Sequence, residues 1–333
     1  ANFSNVTISI AEDGLLTITP ASIDPELPDP TDPNKPIENT RFDVTGLTDV
    51  LYNGSEQKQT PTITDTTTGK SLVKDTDYTI TCNTDDFTNA GTITYTIKGK
   101  GNYSGTREVS YNINKRTVNL KSDTASKIYD GTALTRPDVT VTGDGFVEGE
   151  VTDLRASGSV TTVAEGEVDN AIEYTEGDSF KAGNYNISYD VGTLMIVASD
   201  EEAIVVIKGH KATLEYDGTE KAVYGYDVVS ITEGSKYTAN DFMLTTAAEA
   251  KGTEAGTYAM GLKAEDFVNL SDNFTKVTFK VEDGSLTITP KTIVPDGPKT
   301  PEEKKTGIKV TEPEGSKYDG TDHKNAPTIT DTK

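Results

Sequence analysis

Two histidines, one cysteine and a scatter of paired acids are the side chains of this sequence that invite a search for chemistry. His210 lies in Gly-His-Lys and His323 in Thr-Asp-His-Lys, both among turn residues and charges. Neither has a partner at metal-ligand spacing. The acid pairs Asp85-Asp86 and Glu201-Glu202 could be argued into a glycosidase. With 54 Asp+Glu in the chain, such pairs arise by chance, and a solvated acidic surface is the simpler reading. Cys82 is alone, so it forms no internal disulfide and reads as a small buried apolar residue. No Gly-x-Ser-x-Gly elbow, full Gly-x-x-x-x-Gly-Lys-Ser/Thr phosphate-binding loop, His-Glu-x-x-His or paired-Cys motif occurs. The expectation is a protein that is not an enzyme, with no catalytic, cofactor-binding or metal-ligating residues.

Weaker candidates remain. Asp24, Glu26, Asp29 and Asp32 alternate with prolines, and acidic extracellular modules can place such oxygens around a structural calcium at a joint, although no calcium-loop pattern is present. Lys208 and Lys309 could enter a Lys-to-Asn isopeptide crosslink, but neither has an evident Asn. The Asn-x-Ser/Thr sequons, from Asn2 and Asn5 through Asn273, follow from a threonine-rich composition. Tyr52, Tyr129, Tyr216 and Tyr318 recur at one motif position, and Tyr103, Tyr185 and Phe274 at another. Sugar-binding sites use such rings as platforms. Recurrence in every copy favours a structural role instead, in which the ring anchors a sheet edge and its hydroxyl reaches a backbone partner.

The composition says what kind of elements position these residues. Lys+Arg are 31 against 54 Asp+Glu, a net charge of −23, which excludes a binder of nucleic-acid phosphates. With 33% hydrophobic residues, no Trp, 15 Tyr, 29 Gly and 53 Thr, the chain is built for strands and turns. Its longest uncharged apolar run, near Ala203 to Ile207, falls far short of the roughly 20 residues of a membrane-spanning helix.

Internal repetition organises the rest. Tyr-(Asn/Asp)-Gly-(Ser/Thr) occurs at Tyr52, Tyr129, Tyr216 and Tyr318. Each copy follows an alternating apolar run that reads as a strand, and the Asn-Gly or Asp-Gly pair supplies the positive φ of a tight turn. A closing landmark follows: Ala90-Gly91-Thr92 with Gly101-Asn102-Tyr103, Ala182-Gly183-Asn184-Tyr185, and Ala255-Gly256-Thr257 with Asp272-Asn273-Phe274. A longer period lies above these. Asn2-Phe3 recurs at Asn273-Phe274, an offset of 271, and Pro61-Thr-Ile-Thr-Asp-Thr66 recurs at Pro327 to Thr332, an offset of 266.

The expected organisation is therefore the end of one module at 1–20, a Pro-rich linker at 21–40, modules at 41–115, 116–199 and 203–290, a second Pro-rich linker at 291–306, and the start of a further module at 307–333. The fold expected is all-β, as tandem modules, each with its own core, in an elongated rod. A β-grasp-like module is the alternative, with its short helix at Asp241 to Lys251.

Asp77-Tyr78-Thr-Ile-Thr, Asn89-Ala90-Gly91-Thr92, Gly99-Lys-Gly101-Asn102-Tyr103-Ser-Gly105-Thr106 and Tyr111-Asn-Ile113, preceded by Tyr52-Asn-Gly, closely resemble the MBG and YDG repeat modules. The resemblance covers nearly all of the chain and implies a tandem, extracellular array of immunoglobulin-like β-sandwich modules in a bacterial surface protein or adhesin. It transfers no catalytic residues, because its motif is a turn-and-strand signature. Three roles follow as expectations: a stalk or fibre repeat that projects an adhesive region, an adhesin module that binds host glycan or matrix protein, and an accessory region of an extracellular enzyme. The expected partners are neighbouring modules of the same chain, other copies in a surface filament, or a host glycan or protein, with no nucleic acid and no membrane insertion.

Overall fold

The computed structural model describes residues 18–32, 34–292, 308–315, 317, 319–322, 324 and 326–331. The expectations for residues 1–17, Tyr318 and His323 lie outside the described residues. The protein is all-β. Among the described residues the only helical segments are three single 3-10 turns, Val163–Glu165, Ala182–Asn184 and Ala264–Asp266. The helix of the β-grasp alternative is absent: its segment forms the strands Phe242–Leu244 and Glu249–Gly252, paired antiparallel with Phe267–Asn269 and Lys221–Tyr224. Phe242 and Ala250 are buried there, so the core takes alternate residues of extended chain and overrides the helix propensity of the alanines.

The chain divides into two compact units, one of residues 1–125, 135–159 and 167–194, the other of residues 126–134, 160–166 and 195–333. In the first unit, Gly91–Gly99 pairs antiparallel with Thr106–Asn114 and with Tyr78–Cys82. Ile93, Tyr95 and Ile97 face inward while the intervening threonines face out, as period-2 alternation demands. Arg116–Ser122 runs parallel to Tyr185–Asp190 and antiparallel to Val139–Gly143. In the second unit, Ala203–Gly209 runs parallel to Val277–Glu282, and Lys211–Glu215 continues parallel to Ser285–Thr289 in another sheet. The paired strands change sheets together at a corner where Gly209 and Gly284 touch: a Cβ added to Gly284 would lie 2.5 Å from the His210 carbonyl oxygen. In the first unit Gly192 makes a similarly close approach, where an added Cβ would lie 2.4 Å from the Asp123 carbonyl carbon.

Two expectations are corrected. Residues 21–40 are not simply a spacer. Ala21–Ser22 pairs in parallel with Tyr103–Ser104, Ile23 is buried against Phe42, Ile63, Leu72, Tyr78 and Ile97, and the Asn39 amide donates to the carbonyls of Ser22 and Asp24 at 2.9 and 2.8 Å. One apolar residue among prolines completes this core, because the edge strand it joins needs only a few backbone bonds. Nor is each module separately cored. A single cluster contains Tyr52, Phe87, Ile93, Tyr95, Tyr111 and Ile113 together with Val118, Leu120 and Tyr185, so apolar packing runs through the point where the sequence changes repeat.

Candidate functional site: the repeated joint

The Tyr-x-Gly motif builds the same turn at each copy. In all four, the Asn or Asp side chain accepts the amide two residues on, as Asn53 from Ser55, Asp130 from Thr132, Asp217 from Thr219 and Asp319 from Thr321, at 2.9 to 3.0 Å. The glycine follows at a positive φ of 78 to 82°, which only glycine adopts without strain. The tyrosine amide in turn donates to the last strand of its own repeat: Tyr52 to Asn114, Tyr129 to Val197 and Tyr216 to Thr289, each at 2.8 to 2.9 Å. The turn is thus fixed to a strand end before its ring meets anything.

In the first unit the Tyr52 ring meets Tyr185 edge-on, with centroids 5.7 Å apart at 84°. The Tyr52 hydroxyl donates to Glu150 Oε1 at 2.5 Å, the Tyr185 hydroxyl to Glu150 Oε2 at 2.6 Å, and Tyr185 also accepts the Val147 amide at 3.0 Å. Glu150 is only 3% exposed, so both oxygens of a buried carboxyl group are satisfied by phenols. Burial first, and then the Glu150 carboxylate, push the Tyr52 phenol up to about 12, and the same causes raise Tyr185. Beside them Asn184 accepts the Ala90 amide at 2.8 Å and donates to Asn89 Oδ1 at 3.0 Å. Asn89 is itself held by Asp86, whose carboxyl falls to about 2 chiefly because the Asn89 side chain donates to it.

The second unit repeats this arrangement with different residues. Tyr129 meets Phe274 edge-on at 5.4 Å and 79°, and Asn273 accepts the Val163 amide at 2.8 Å. Phe274 lacks a hydroxyl, and the polar role passes to Tyr237. That ring packs edge-on against Phe274 at 5.1 Å and donates to the Asp241 carbonyl and to Asn269 Oδ1, each at 3.0 Å. In both joints the aromatic of one repeat's turn meets the Asn-aromatic pair that closes the next.

Several of the residues first suspected of chemistry have structural partners. His210 bonds the Tyr224 carbonyl and Asp227, Glu202 accepts from Thr278, and Lys208 faces Glu282. Cys82 is half-buried against the first unit's core. Asp24 accepts from Ser22 and from the Thr106 amide, and Asp29 from Thr31. Among the described residues no group of three or more His, Cys, Asp or Glu could hold a metal ion, and no helix is long and apolar enough to cross a membrane. The recurring tyrosines do anchor sheet edges, but at Tyr52 and Tyr185 the hydroxyl partner is a buried carboxylate. Glu150 was missed in the sequence because it has no counterpart at a repeated position.

These features define the chain as an array of all-β repeats whose signature motif, at Tyr52 and Tyr129, meets the closing pair of the next repeat. Residues 203–290, the span read as the third module, match the MBG domain, so the resemblance read from the motifs holds there. No curated protein matches the chain. Among solved structures, the I9-I11 tandem of titin is 10% identical, covering 75% of this chain and 98% of its own, with a TM-score of 0.20. The SGBP-B protein of the Bacteroides ovatus mixed-linkage glucan utilization locus, solved with a mixed-linkage heptasaccharide, is 14% identical, covering 82% of this chain and 77% of its own, with a TM-score of 0.14. Scores this low carry no argument about function.

Proposed function

We propose that the chain is a structural stalk or fibre repeat of a bacterial cell-surface protein, acting outside the cell to project an adhesive region and doing no catalysis. Its modules are 41–115, 116–199 and 203–290, and their partners are first of all one another. The observation that carries this reading is the fate of the recurring residues: Tyr52, Tyr185 and Phe274 are 2%, 4% and 8% exposed and are used in contacts between repeats, which leaves them no ring face for a sugar. Acidic surface keeps closely spaced modules soluble. The alternative is a module that itself binds host glycan or matrix protein. It would draw on exposed apolar residues of the second unit such as Tyr224, Val229 and Leu270. A glycan and matrix-protein array probed with the whole chain separates the two. The stalk reading expects no saturable binding; saturable binding lost in a Tyr224→Ala or Leu270→Ala variant would replace it with the adhesin reading.

A further inference from the structure

The first Tyr-x-Gly turn differs from the later ones at its second residue, and the difference is chemical. It holds Asn53 where the others hold Asp130, Asp217 and Asp319, and Asn53-Gly54 is the one Asn-Gly pair in the sequence. Asparagine is among the chemically labile side chains. The Asn53 side chain is exposed, and its Oδ1 accepts the Ser55 amide at 2.9 Å. That bond polarises the carboxamide and closes a ring that contains both Asn53 Cγ and the Gly54 nitrogen. Among the described residues neither the Gly54 N–H nor Asn53 Nδ2 has a hydrogen-bond acceptor, and glycine carries no side chain to hinder its nitrogen. The later turns are protected. Lys127 donates to Asp130 at 2.9 Å, and Lys221 donates to Asp217. These cations first, and then the threonine that follows, hold both carboxyls well below the ordinary range, and a carboxylate resists attack by an amide nitrogen. The residues at the two lysine places in the first turn, Val50 and Gln57, carry no charge, and Lys58 lies over the Phe87 ring at 4.6 Å.

We propose that Asn53 is a self-modifying site, which deamidates through a cyclic imide and thereby loosens the joint between the first and second repeats. The Gly54 nitrogen loses its proton and bonds to Asn53 Cγ, and the Cγ–Nδ2 bond breaks to release ammonia. Water then opens the imide at either carbonyl. One opening leaves aspartate; the other leaves isoaspartate, with the side-chain methylene now in the main chain. Water is the only co-reactant, and nothing is oxidised or reduced. The effect on the joint follows from what the turn rests against. A Cβ on Gly54 would lie 3.1 Å from Val147 and 3.5 Å from Glu150 Oε1, so a longer main chain does not fit there. Either product also adds a carboxylate to a turn beside the buried Glu150, whose two oxygens already accept from Tyr52 and Tyr185. Like charges at a desolvated site repel. The site acts on the joint whether the modules serve as a stalk or bind a ligand, so a result on the glycan and matrix array leaves it untouched.

Peptide mass mapping of the whole folded chain, aged in mildly alkaline buffer, reads the site directly, with isoaspartate counted by enzymatic methylation. The peptide carrying Asn53 is expected to gain the amide-to-acid mass difference severalfold faster than those carrying Asn89, Asn112 or Asn184. Followed by tyrosine fluorescence, the aged chain should unfold at a lower urea concentration than the fresh one. Asn53→Ser keeps a side-chain acceptor for the turn; that chain should form no isoaspartate there and keep its unfolding midpoint on ageing, with circular dichroism confirming its fold. An Asn53 that stays an amide in the folded chain, another asparagine that converts as fast, or full conversion at Asn53 with an unchanged midpoint would each overturn the proposal. The mapping of the wild-type chain decides the first two of these without any variant.

Discussion

At the residue scale, Glu150 shows how a repeat motif acquires a local partner. Its two oxygens accept from Tyr52 and Tyr185, so Glu150→Ala strands two buried hydroxyls. The expected loss is about 2–4 kcal/mol, read by urea unfolding through tyrosine fluorescence, and a cycle with Tyr52→Phe should show coupling of about 1 kcal/mol or more. The raised Tyr52 phenol makes the folded chain hold its proton more tightly than the unfolded chain, whose phenol titrates near 10. Its contribution is therefore whole below about pH 10 and is lost as pH climbs toward 12; absorbance of tyrosinate against pH should show a late-titrating class that Tyr52→Phe reduces. Asp65 works in the opposite direction. Burial would raise its carboxyl, but the Arg41 guanidinium and the Thr67 amide outweigh burial and hold it below the ordinary range. Its stabilisation is present above about pH 4 and is lost as pH falls through the lowered value. Arg41→Ala leaves a fully buried carboxylate without its cation, an expected cost of about 3–5 kcal/mol in the same unfolding assay.

At the element scale, close glycine contacts decide whether neighbouring backbone segments can approach, as at the corner where Ala203–Gly209 and Val277–Glu282 pass into another sheet. Gly284→Ala and Gly192→Ala each force backbone apart, because the added Cβ would lie 2.5 and 2.4 Å from main-chain atoms. Each should destabilise by roughly 1–3 kcal/mol, with amide exchange rising in the unit that carries the substitution. Register, in contrast, follows the local pattern closely. The verbatim repeat Pro61 to Thr66 and Pro327 to Thr332 gives the same hairpin register twice, Phe42 opposite Asp65 and Ile308 opposite Asp331. Alternation with one inward face allows no slip by a single residue.

At the scale of the whole molecule, the −23 charge raises the question of calcium. Asp24 and Asp29 already accept from Ser22, Thr106 and Thr31, so stripping divalent ions with a chelator should leave Tm within about 1 °C of its starting value. A larger fall would reveal an ion bound to the native state. The strand content gives a further check. Far-ultraviolet circular dichroism should be that of a β protein, with helix far below the roughly 30% common in globular proteins.

Alternation, turn chemistry and repetition were enough to read all-β modules and their landmarks from sequence, because these are local properties: an inward face every second residue, and a positive φ at Gly54 or Gly218. The MBG resemblance rested on the same signals. What the tertiary structure decided was everything that required distant segments to meet. Ile23 among prolines looked like a spacer residue until Tyr103–Ser104 supplied its strand partner. Alanines near 250 suggested a helix until Lys221–Tyr224 offered backbone bonds to extended chain. Glu150 was one acid among 54 until two phenols from distant segments, 98 and 35 residues away, closed on it. Sequence fixes the period of a strand and the hand of a turn because neighbouring residues impose them; which buried carboxyl or apolar side chain finds its partner depends on long-range contacts that no local pattern encodes.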